Sequence, residues 1–73
     1  MKIRDLHGVF FGAVSIDQLI RHDDSNEYKN LYTGLLSLMT DVDHKSILDK
    51  DILCASAIKL KHNGLPALDI TVE

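Results

Sequence analysis

Seven large side chains between Asn26 and Thr40 most constrain what this chain can fold into. Placed at about 100° per residue, Tyr28, Leu31, Tyr32, Leu35, Leu36, Leu38 and Met39 fall within one arc of roughly 160°. Glu27, Lys29, Asn30, Thr33, Gly34, Ser37 and Thr40 occupy the other side. This spacing predicts an amphipathic helix that must bury one face. Asp24 can accept from the free N–H groups of its first turn, with Glu27 completing a capping box.

Two further helices follow from the same reasoning. Ser15 can cap a short one, with Gln18 reaching back, Val14 stapling onto Leu19, and Ile16, Leu19 and Ile20 forming its apolar side. His22-Asp23-Asp24 ends it and leads into the cap of the long helix. Beyond a polar joint, Asp41 to Lys45, a second long helix begins between Ser46 and Asp49. Leu53, Ala57 and Leu60 form its ridge, with Cys54 and Ile58 beside them. Lys59, Lys61 and His62 gather in its last turn, where positive charge suits a helix C-terminus, and Asn63-Gly64 stops it.

The two ends read differently. Gly8 and Gly12 interrupt the apolar residues of Met1 to Val14, which predicts an irregular or extended segment. From Ala67 to Glu73 the chain alternates, with Leu68, Ile70 and Val72 on one side and Asp69, Thr71 and Glu73 on the other. That is a half-buried strand, whose partner is Lys2 to Leu6, the Val9 region, or the same strand of a second copy. The expected fold is therefore mainly α: a small three-helix domain over residues 1–73, one helix short and two longer. Short extended N- and C-terminal segments can pair as β, and α+β is the alternative.

At 73 residues the chain is one domain near the lower limit for burying its own core. The apolar stretch Val9 to Val14 is broken by Gly12 and falls far short of the about 20 residues of a membrane helix. Charged residues Arg4 and Asp5 follow Met1-Lys2, and no small-x-small cleavage site precedes Asp17, so no signal peptide is read. With Cys54 alone, no intrachain disulfide can form, and a cytoplasmic protein is expected. The net charge of −3, with acids at Asp23-Asp24 and Asp41/Asp43, lacks the basic excess of a nucleic-acid binder.

Candidate chemistry is sparse. Asp41-Val42-Asp43 suggests a calcium loop, but the fifth, sixth and twelfth positions are Lys45, Ser46 and Ile52 where an oxygen ligand, Gly and Glu are required. His7, His22, His44, His62 and Cys54 show no zinc-ligand spacing. Cys54, on the apolar arc, reads as an inert core thiol. Ser15, Ser25 and Ser46 read as helix caps, and no phosphate-cradling G-x-x-x-x-G-K occurs. Neither an enzyme nor a cofactor or metal site is expected. A helix-turn-helix would place Asp49-Lys50-Asp51 at the start of its recognition helix, presenting acids to DNA.

Surfaces for protein contact remain. Asn30, Gly34 and Ser37, with Thr33, form a small-residue face on the long helix. Tyr28 and Ile52 are further contact candidates, and Ile70 represents the tail strand. The function expected is that of a small non-enzymatic protein-binding or regulatory protein, acting through protein–protein contacts as a homodimer. A DNA-binding transcriptional regulator is the alternative, and no membrane partner is expected.

Overall fold

In the computed structural model, which describes residues 1–61 and 63–73, the expected three-helix domain is replaced by a mixed four-stranded sheet with short helical segments. The elements are α1 (Ile3–Leu6), β1 (Ala13–Arg21), β2 (Asn26–Leu35), a 3-10 turn (Leu36–Leu38), α2 (Asp41–Leu48), β3 (Ile52–Lys59) and β4 (Pro66–Val72). Across the sheet the order is β2-β1-β4-β3. β1 and β4 run parallel in the centre, and each pairs antiparallel with its own hairpin mate at the edge.

The alternating tail does form a strand. Its partners are β1 and β3 of the same chain, not Lys2 to Leu6, the Val9 region or a second copy. Ile70 and Val72 are fully buried, and Ile70 lies beside Ile16 of β1.

Each misread helix has a local physical cause. β1 is a central strand, so apolar residues appear on both its faces. Val14 and Ile16 point into the core, whereas Leu19 lies in the opposite phase, and the mixture imitates a helical period. In β2 the register passes from Ile16↔Tyr32 to Asp17↔Asn30, leaving Leu31 unpaired in a bulge. That extra residue joins two phases of period-2 alternation into the i, i+3, i+4 spacing of Tyr28, Leu31, Tyr32, Leu35 and Leu36. A second irregularity, between Ile52 and Cys54, has the same effect in β3. Tyr28, Tyr32 and Thr33 of β2 also favour strands over helices.

The turn residues change role accordingly. His22 to Ser25 close the β1–β2 hairpin, with the His22 N–H donating to the Ser25 carbonyl at 2.8 Å. Asp24 therefore caps no helix. The real helix, α2, occupies the expected polar joint: Thr40 Oγ1 accepts from the Asp43 N–H at 3.2 Å, and Asp41 and Asp43 complement the helix N-terminus. Gly64 does adopt a left-handed φ of 69°, but in the β3–β4 hairpin, not at a helix end. His62, expected in that helix's last turn, lies outside the described residues.

One cluster forms the core: Ile3, Val14, Ile16, Leu36, Met39, Leu48, Ile70 and Val72. The connection from β2 to β3 joins strands at opposite edges, so the 3-10 turn and α2 must cross the sheet and cover its inner face. Arg4 on α1 clamps this layer, its guanidinium lying 2.7 Å from both Asp41 and Asp49 of the α2 region. Leu35, expected at the centre of the buried stripe, is 45% exposed.

Ile70→Ala should therefore cost about 2–5 kcal/mol in urea unfolding, since it opens a cavity between the central strands. Leu35→Ala should cost about 1 kcal/mol or less, because nearly half of the residue already meets solvent and it stands outside the core cluster. Equal losses would contradict this placement of the core.

Candidate functional site

The register sets a second row of side chains on the face away from the helices. Ser15 and Asp17 of β1 stand beside Thr33 and Asn30 of β2. Asp69 of β4 pairs with Ser15 on one flank and Ser56 of β3 on the other. Cys54 and Ile58 complete the row at the β3 edge. The β3–β4 hairpin turn borders this face. There Lys59, Leu60 and Lys61 and the strand residues bound an open hollow of about 560 Å³.

A polar cluster occupies the hollow. The Asn30 amide donates to Asp17 Oδ1 at 2.9 Å, and lies 3.3 Å from the Ile16 carbonyl and 3.4 Å from Ser15 Oγ. Thr33 Oγ1 donates to Asn30 Oδ1 at 3.3 Å. Partial burial pushes the Asp69 carboxyl above the usual carboxylate range. The charge of Asp17 and a hydrogen bond with it add to the rise.

Elsewhere the titratable groups serve the fold. Hydrogen bonds from Arg4 hold Asp41 below its ordinary value, and those from Lys45 and Arg4 do so for Asp49. His7 donates to the Met39 carbonyl at 2.8 Å, and His22 to Glu27 at 3.0 Å. His44 accepts from the Thr40 N–H at 3.2 Å, with its ring edge-on to Tyr32 at 5.3 Å. Among the described residues no three His, Cys, Asp or Glu side chains converge as a metal site requires.

The six contact candidates are scattered. Tyr28 is exposed on the open side of β2. Asn30 is engaged with Asp17. Gly34, at φ 153°, lies under the Tyr32 ring, whose hydroxyl donates to the Leu35 carbonyl at 2.7 Å. Its expected role as a close-approach point for another backbone is thus taken by its own chain. Ser37 is exposed on the 3-10 turn, and Ile52 is half-buried at the start of β3. Ile70, in the core, touches no solvent. Since no helix carries Asn30, Gly34 and Ser37 together, the expected small-residue face does not exist. Likewise Asp49 to Asp51 precede a strand, so the recognition helix considered above is absent.

The surface that was missed is β3. Ile52–Lys59 is an edge strand with six of its eight residues exposed, and Cys54, expected in the core, is among them. Its signal was legible: no charged residue occurs between Asp51 and Lys59. Compared with known protein families, curated proteins and solved structures, the chain matches none.

The raised Asp69 carboxyl has a pH consequence. A carboxyl whose pKa is higher folded than unfolded stabilises the fold at acid pH, and loses that contribution as pH rises through the folded value. Asp69→Asn should therefore raise the melting temperature at pH 7 relative to the parent, with the gain vanishing near pH 3. A gain that persists unchanged into acid would show that the Asp69 carboxyl is not raised in the folded chain.

Proposed function

We propose that this is a small non-enzymatic interaction protein of the cytoplasm, working through protein–protein contacts as a homodimer. The observation that supports this reading is the β3 edge, a largely exposed strand with no charge before its last residue, Lys59, whose outer backbone groups have no strand partner beyond Ile52 among the described residues. Monomeric proteins blunt such edges with charges, Pro, bulges or a covering loop. The other edge of this sheet is blunted in that way, by Glu27, Lys29 and the bulge at Leu31. The open face continues the same surface, with Tyr28 at one side and Ile58 at the other. Exposed Phe11 and Leu65 add apolar area outside the strands. The cytoplasmic assignment rests on the lone cysteine, which allows no intrachain disulfide. No helix of the described residues is long and apolar enough to cross a membrane.

Sedimentation equilibrium tests the reading. The chain of 8.2 kDa should show twice that mass in the micromolar range, with little dependence on salt. A monomer at every concentration up to the solubility limit would refute the homodimer. A strongly salt-dependent shift on random DNA would favour nucleic acid instead.

A further inference from the structure

We infer that two copies join by antiparallel pairing of β3 with β3, extending each four-stranded sheet into one of eight strands. This rests on the homodimer reading above and specifies its contact. Three features of the strand lead to it.

The first is how much of the edge is free. The Met1 carbonyl accepts the Ile52 N–H at 2.8 Å, and Lys2 bridges Asp51, so the chain's own start occupies the beginning of the outer edge. What remains is Leu53 to Lys59, whose midpoint is Ser56.

The second is self-complementarity about that midpoint. A two-fold axis at Ser56 sets Ala55 against the partner's Ala57, and Cys54 against the partner's Ile58. The register with β4 puts Ala55 and Ala57 on the helix side of the sheet, and Cys54, Ser56 and Ile58 on the open side. Each cross-dimer pair therefore meets on one face, as antiparallel strands require. Small residues at the centre let the backbones reach hydrogen-bonding distance without a clash.

The third is charge order. Asp51 precedes the strand, and Lys59 and Lys61 end and follow it. Antiparallel pairing about Ser56 brings Asp51 towards the partner's Lys61, whereas a parallel pairing would set like charges together. Among the described residues none of these three side chains has an ion-pair partner in its own chain. Opposite charges at the two ends thus select the orientation.

The test uses the one residue that would face its own copy. Ser56 is exposed on the open face, so Ser56→Lys and Ser56→Glu should both fold, as circular dichroism can verify. Each alone places like charges across the two-fold axis and should weaken the dimer at least about tenfold. An equimolar mixture of the two should restore it. As a covalent readout, Ser56→Cys combined with Cys54→Ser should give a disulfide-linked dimer on mild oxidation, and Tyr28→Cys in the same background should not. If the wild-type chain dimerises but is indifferent to both charges, or if mixing fails to restore association, β3 is not the contact and only this inference falls. If the wild-type chain is monomeric throughout, the homodimer reading falls with it.

Discussion

The parallel pairing of β1 with β4 is the constraint on which the rest of the molecule depends. Ile16 and Ile70 lie side by side at its centre, more than fifty positions apart in the chain, and both are fully buried. Parallel neighbours cannot be joined by a tight turn. Everything between them must therefore leave the sheet centre and return. The chain does this with two hairpins, β1–β2 and β3–β4, linked by a helical crossing over one face. Once the two inner strands are parallel, β2 and β3 are forced to opposite edges, and the crossing is obliged to cover the ground between them.

That single crossing also explains why the two faces differ so sharply. Leu36, Met39 and Leu48 reach the inner face from the 3-10 turn, the residues after it and α2. Ile3 adds to them from α1, which Arg4 holds against α2 through Asp41 and Asp49. A chain of this length has no second layer to spend on the outer face. Asp17, Asn30 and Thr33 stand there hydrogen-bonded in a row, and Asp69 beside them is enclosed enough for its carboxyl to be raised.

Little of this was legible in the sequence, and the reasons are specific. β4 could be read because it keeps strict alternation from Leu68 to Val72 with no bulge. β2 and β3 could not, because an extra residue in each, Leu31 and Leu53, shifts the phase and turns period 2 into something near 3.6. β3 misleads doubly, since Leu and Ala are good helix formers in isolation and become strand residues here only through pairing with β4. The Asp-Asp-Ser cluster after β1 serves a hairpin as well as a helix cap, so it could not decide between them. The carboxyl pair was invisible for another reason. Asp17 and Asp69 are far apart in the chain, and only the parallel register brings them into one hollow.

The two edges of the sheet are treated unequally. Both edges expose unpaired N–H and C=O groups, and selection against aggregation acts on both. On β2 the usual protections are present: Glu27 and Lys29 stand in the strand, and the Leu31 bulge twists its backbone out of register. On β3 the irregularity falls at the very start, where Met1 and Lys2 already cover the strand, and seven uncharged residues follow Asp51. A domain this small has little stability in reserve. The proposed pairing of β3 with its own copy would satisfy backbone groups that a monomer leaves to water, and would bury Ala and Ile side chains that add nothing to the monomer's core. Under that proposal, edge exposure on one side and edge protection on the other would have a common cause, because a sheet that grows by one contact and stops must leave one edge open and close the other.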